Sequence, residues 1–332
     1  MTADRVRLSA KEAQALAENT LQKIGYDAEE ARIIADHVMD AALCGYEYSG
    51  LPKILNVAEH RQLKQPRRHI RALRETPVSA LLDGGNNNGM VAMYRATELA
   101  IAKARENGMA TVGVNNSWVS GRSAHYVEMA ARAGLVGIHS VSSRTHVSAP
   151  GSIGAATGTN PIAFGFPTTN EPFIIDMGAA AFMGTDLIFQ ERRGAVLPEG
   201  VAMDAQGQLT RDPAKVSVLL PFGGYKGFAL ALAMQALGVL AGSGLGEDKA
   251  YGYLIMAIDP ERLLPLADFK RDMSEMLARI KTVERQPGVD EIRLPGERGM
   301  RERALNLREG IVIDRKIYDA LMALPQGKLP DR

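Results

Sequence analysis

Cysteine is almost missing from the chain: Cys44 is the only one in 332 residues, which excludes a disulfide framework and a thiolate metal cage. Neither sign of charge prevails. The 39 basic and 38 acidic residues leave a formal net charge of +1, too small a field to gather nucleic acid or an anionic membrane. One local exception, 60–74 (HRQLKQPRRHIRALR), has no interleaved aromatic residue to stack on bases and reads as a solvated helix end and loop. No apolar run is long enough to cross a bilayer. The most apolar one, 228–242, carries Gln235 and reads as a buried core helix. The opening MTADRVRLSAKEAQ turns charged and helical at once and lacks the apolar core of a signal peptide. These absences predict a cytoplasmic protein that partners neither nucleic acid nor membrane.

Familiar motifs are missing too. No G-x-G-x-x-G follows an expected strand and opens a helix, which argues against a Rossmann domain. There is no Walker A sequence, no H-E-x-x-H and no G-x-S-x-G elbow, and no metal is expected.

What is present is a layered pattern. A capping box at Ser9 and Glu12 opens a helix that stops at Gly25, and Asp27 with Glu30 opens a second that stops at Gly45. Residues 45–50 read as a loop and 51–63 as another helix. From Pro77 the texture alternates: strand 78–82, a polar glycine-rich turn 83–89, helix 90–107, strand 110–114, helix 123–133, strand 135–141. A strand at 173–176, a helix at 227–240 and a strand at 251–258 complete the centre, and 301–323 reads as charged, mostly helical sequence. The predicted fold class is α/β: a non-Rossmann three-layer core with a mixed sheet, plus a helical layer from both chain ends. The expected domains are 1–76 with 300–332, and the core 77–299.

Three clusters carry possible chemistry. Gly158-Thr159-Asn160-Pro161 is a turn that can offer backbone N–H groups to an anion, although alone it reads as a simple tight turn. Pro221-Phe222-Gly223-Gly224-Tyr225-Lys226-Gly227 places two glycines and a lysine at the start of a helix, which favours a ligand site. Arg293-Leu294-Pro295-Gly296-Glu297-Arg298, with Arg301 behind it, suits a phosphate or a surface ion-pair network equally.

Taken in order, GTNPIAFGFPT, the strand ending Ile174-Ile175-Asp176-Met177, LPEGVAMDAQGQLTRDP, LPFGGYKGFALAL and IRLPGER resemble the type-2 malate/L-lactate dehydrogenase family, from the first helix to about Ala323. That family also contains ketimine reductases and ureidoglycolate, sulfolactate and diketogulonate dehydrogenases. The resemblance implies a nicotinamide cofactor, a homodimer and a reductase that transfers hydride to C2 of a small 2-oxo or 2-imino carboxylic acid. It assigns Ser120, Gly121, Arg122, Ser123, Asp176, Met177, Gly178, Lys226, Pro295, Gly296, Glu297 and Arg298 to the dinucleotide. Thr159, Ala179 and Ala180 fall on substrate-side positions. Arg122 and Arg298 suit a 2′-phosphate, so NADPH is favoured over NADH while NADP and NAD both stay open.

The chain also departs from the family pattern. A Ser-His-Gly loop whose histidine donates a proton is here Tyr48-Ser49-Gly50, so Ser49 stands at the histidine's place. The carboxylate-gripping arginine is replaced by Lys53, and an Asn-His-Phe-Gly run by Trp118-Val119-Ser120-Gly121. Asp186 matches a relay aspartate of ketimine reductases. A serine hydroxyl is too weak an acid to replace imidazole, whereas Tyr48, lowered by a neighbouring cation and relayed through Ser49, is a candidate donor. His125 and His146 are alternatives for a displaced acid; His37, His60, His69 and His139 read as structural or exposed. A dinucleotide-binding protein that has lost catalysis is the competing reading.

Overall fold

The computed structural model describes residues 4–244 and 251–330; residues 1–3 of the opening segment lie outside them. The chain does not become helical at once. It starts with strand β1 (Arg5–Leu8), and then α1 (Ala10–Lys23) begins from the expected capping box, Ser9 accepting from Glu12 N while the Glu12 carboxylate accepts from Ser9 N at 2.8 Å. Helix α2 (Ala28–Leu43) is capped by Asp27, but the Glu30 carboxylate lies against buried Arg67 at 3.1 Å. Helix α3 (Pro52–Glu59) ends earlier than its apolar pattern suggested. His60 turns extended there and its Nδ1 accepts from Gln62 N, opening a 3-10 turn.

The basic stretch is not all loop. Its end enters strand β2 (Arg71–Thr76), an exposed edge whose charged side chains discourage pairing with another chain. Strand β3 (Ser79–Asn88) runs on through all but the last residue of the expected turn at 83–89. A bulge there is set by left-handed Gly85 and Asn86, with Asp83 Oδ1 accepting from Gly85 N at 2.9 Å. Helix α4 (Gly89–Asn107) crosses over to β4 (Met109–Trp118), the parallel neighbour of β3. There follow α5 (Ser123–Arg132), β5 (Val136–Ser142), β6 (Val147–Ser148), β7 (Ala155–Thr157), β8 (Ile162–Phe166), β9 (Phe173–Met177), α6 (Gly184–Arg193), β10 (Ala202–Met203), β11 (Val218–Leu219), α7 (Tyr225–Leu240), β12 (Gly252–Ile258) and α8 (Leu266–Lys281).

The charged C-terminal segment is mostly helical, as expected, with one short strand inside it. Between α9 (Glu297–Glu309) and α10 (Arg315–Ala323) the β-branched run Ile311-Val312-Ile313 forms β13 (Ile311–Asp314), antiparallel to β1. The two chain ends are thereby pinned together.

The main sheet has seven strands in the order β2-β3-β4-β12-β5-β8-β9. Among the described residues, β3 and β4 are the one parallel pair of this sheet, and β12 inserts antiparallel between β4 and β5. The fold is thus α/β with a mixed sheet and no doubly wound parallel core. Alanine-rich α4 and α5 cover one face, where Ala96, Ala100, Val112, Tyr126, Tyr253 and Ile255 are fully buried. Helix α7 covers the other, close enough that a Cβ on Gly238 would meet Ser142 Oγ at 2.0 Å. A second apolar cluster joins α1, α2, α3, β13 and α10. Contrary to the sequence reading, α7 is not a fully buried helix: Tyr225, Leu232, Val239 and Leu240 are exposed along it. No helix among the described residues is long and apolar enough to cross a membrane.

Candidate active site

A cleft of about 740 Å³ lies where α3, α5 and α6 meet the ends of β5 and β9. Its first wall follows α2. Left-handed Gly45 releases the chain into a 3-10 turn, Glu47–Ser49, and Gly50 presses against Ala42, where a Cβ would sit 2.8 Å from its side chain. This turn puts Tyr48 and Ser49 on the cleft, and the first turn of α3 adds Lys53.

Lys53 is 3% exposed, yet no acceptor among the described residues takes a hydrogen bond from its ammonium. Burial alone pushes its pKa down to about 8. Tyr48 behaves opposite to expectation. Burial, and then the carboxylates of Asp176 and Asp186, push its phenol well above the usual tyrosine range, with Arg122 opposing them only in part. No hydrogen bond joins the Tyr48 and Ser49 side chains among the described residues, so the expected relay is not formed.

The second wall is the entry to α5. Val119 and Gly121 both have positive φ, and a Cβ on Gly121 would lie 2.1 Å from His37 Nε2. Arg122 N donates to that same His37 nitrogen at 2.7 Å, and burial keeps the imidazole neutral. The Arg122 guanidinium pairs with Asp40 at 2.6 Å and lies over the Tyr46 ring, 4.9 Å from its centroid. Ser123, at the first position of α5, has a buried hydroxyl with no partner. Next to it Ala124 N donates to Asp176 Oδ2 at 2.9 Å. An orphaned hydroxyl at a helix N-terminus on a large cleft fits a ribose or phosphate oxygen of a dinucleotide.

The remaining expected residues divide. Thr159 and Gly178 line the cleft, whereas Ala179 and Ala180 are buried behind it, Ala180 bridged to Pro221. Asn160 is a strut: its Oδ1 accepts from Ser143 N and its Nδ2 donates to Ala231 O, tying α7 to the loop after β5. Asp186, in the first turn of α6, accepts from Gln190 at 2.8 Å and lies outside the cleft wall, although its charge reaches Tyr48. Met177 is exposed, and Lys226 is exposed outside the wall. Gly227, next to it, is needed for contact, since a Cβ would meet Ala179 O at 2.7 Å. Left-handed Gly296 lets the start of α9 approach β9, where a Cβ would lie 2.7 Å from Ile174 O, Glu297 pairs with Lys281 at 2.5 Å, and Arg298 stacks over Tyr46 at 4.7 Å; nothing places Pro295 against the cleft wall among the described residues. Arg122 and Arg298 therefore converge on one ring.

Sequence reading overlooked Arg144, Arg192 and Tyr253 in the cleft wall, and set His60 aside. His60 stacks flat on Trp118 with centroids 4.5 Å apart and is lowered to about 4, mainly by burial. His146 lines the cleft too, with Nδ1 bonded to Arg144 O, Nε2 unpartnered and burial lowering its pKa. His125 lies beside Asp40, away from the cleft wall.

Residues 8–322 match the family model described as malate/L-lactate dehydrogenase. The chain belongs to the malate/L-lactate dehydrogenase family. This makes it an NAD(P)-dependent oxidoreductase. It is 34% identical to a malate dehydrogenase of Pyrococcus abyssi, over 95% of this chain and 93% of that protein. It is 31% identical to a Delta(1)-pyrroline-2-carboxylate reductase of Ancylobacter novellus, over 97% of this chain and 98% of the other. The solved malate dehydrogenase of Pyrococcus horikoshii OT3 superposes with a TM-score of 0.87 at 30% identity, covering 98% of this chain and 96% of that one. Membership in the malate/L-lactate dehydrogenase family implies a nicotinamide cofactor in a chain that carries no Rossmann fingerprint.

Proposed function

We propose that this protein reduces the C2 carbonyl or imine of a small carboxylic acid with NADPH or NADH. The observation that carries the reading is the pairing, in one cleft, of an unpartnered cation with an orphaned hydroxyl at a helix N-terminus. Ser120 to Ser123 and Asp176 would hold the dinucleotide, with Arg122 and Arg298 suited to a 2′-phosphate. When bound, the reduced nicotinamide supplies hydride. Lys53 supplies positive charge for the carboxylate, and Thr159 lies within the same walls. Met183, Leu187 and Ile188 of the α6 region make that end of the cleft apolar and limit water. The exposed stripe Tyr225, Leu232, Val239 and Leu240, at heptad-like spacing on α7, supports a homodimer in which that face is covered.

The test is a panel of 2-oxo acids, each with and without an amine, followed by loss of reduced-nicotinamide absorbance. Turnover of at least one acid is the expected result. Dinucleotide binding without turnover of any acid would instead mark a binding protein, in keeping with Ser49 and Val119 at the two histidine positions.

A further inference from the structure

We propose that Lys53 is the proton donor of this enzyme, and that the group it serves is the neutral carbonyl of a 2-oxo acid rather than a cyclic iminium. The inference rests on the reductase reading above and names its acid and substrate class.

The cleft offers few acids. Tyr48 is buried beside two carboxylates that disfavour its ionisation, and Ser49 is a plain hydroxyl. His60 and His146 line the walls as neutral rings, their charged forms opposed by burial. Arg122 and Arg192 are held by Asp40 and Glu59 and do not give up protons. Lys53 alone unites a cationic N–H, a buried position and freedom from any acceptor among the described residues.

The charges around Lys53 do not neutralise it. From α2, neutral His37 feels its charge. From α3 itself, Glu59 is taken by Arg192 at 2.6 Å. From β9, Asp176 is bonded to the start of α5, and from α6, Asp186 to Gln190. An uncompensated ammonium in a confined cleft attracts an anion with a neutral carbonyl and repels an iminium. The lowered pKa, about 8, leaves the group protonated at neutral pH yet acidic enough to let the proton go.

An ammonium has three N–H bonds. One can hold a carboxylate oxygen while another reaches the oxygen on the adjacent C2. As hydride forms the new C2–H bond, the π electron pair of the carbonyl moves to oxygen. That oxygen takes the proton of the second N–H, giving the 2-hydroxy acid. Lys53 is left as a neutral amine and is recharged by solvent through the cleft mouth.

The experiment has two arms. In the free protein labelled with lysine carrying ¹³C at Cε, the resonance lost in Lys53→Arg should titrate at about 8, and titration at the ordinary lysine value near 10.5 overturns the proposal. With a 2-oxo acid that turns over, Lys53→Arg keeps the cation but not a releasable proton. We expect kcat to fall at least ~100-fold with KM changed only a few-fold, and the decline of wild-type kcat above about pH 8 to vanish. Wild-type kcat in Lys53→Arg, or turnover confined to iminium acids, overturns it. A panel without any turnover sinks the reductase reading, and the proposal with it.

Discussion

A buried ammonium without a counter-ion weakens the fold that holds it. The folded-state pKa of Lys53 is lowered from 10.5 to about 8, so the penalty is fully present below about 8 and is lost as pH rises toward the unfolded value. Lys53→Met should therefore raise stability at neutral pH by on the order of 3 kcal/mol, with the gain gone above about pH 10.5. Urea midpoints at both pH values check this, and an equal gain at both would contradict it. Asp40 has the opposite sign. Burial alone would raise its carboxyl, but His125, Arg122 and Arg303 hold it well below the usual range, so its contribution is lost only as the solution becomes strongly acidic. Sequence identified Lys53 by matching a motif position, but nothing in the order of residues says that a lysine will find no partner. The partners that raise Tyr48, Asp176 and Asp186, come from distant segments and were equally hidden.

Elements were legible where local chemistry decides them. The Ser9 capping box and the apolar spacing of α2 follow from residues a turn apart, and the structure bears them out. Where long-range pairing decides, the pattern was silent. Strand β1 exists because β13 pairs with it from the far side of the sequence, and the polar glycine-rich 83–88 stays in β3 because Asp83 and Asn87 satisfy the bulge from within. The entry to α5 is the element on which the cofactor reading leans hardest. At Gly121, φ is +76° and a Cβ would strike His37. Gly121→Ala should therefore cost about 1–3 kcal/mol of stability and weaken dinucleotide binding, because His37 must leave the Arg122 amide it fixes. Thermal unfolding and a fluorescence titration with NADPH measure both. A stable variant with unchanged affinity would show that this turn does not shape the site.

Across the whole molecule, the layered α/β architecture was readable from alternating strand and helix texture, and the family from five motifs in one order. What the motifs do physically was less readable. Asn160 of GTNP braces α7, and the glycine of LPGER lets α9 dock on β9, so part of what looked like ligand chemistry is scaffold around the cleft. The apolar run 228–242 read as core from its composition, yet Leu232, Val239 and Leu240 face outward along α7, a division between buried and exposed faces that composition does not give. The most direct measurement is a crystal structure grown with NADPH and a non-reacting 2-oxo acid analogue. The account predicts dinucleotide along Ser120 to Ser123 and Asp176, the carboxylate and C2 oxygen both on Lys53, and α7 covered by a second copy. Dinucleotide bound elsewhere, or a carboxylate held away from Lys53, would contradict it.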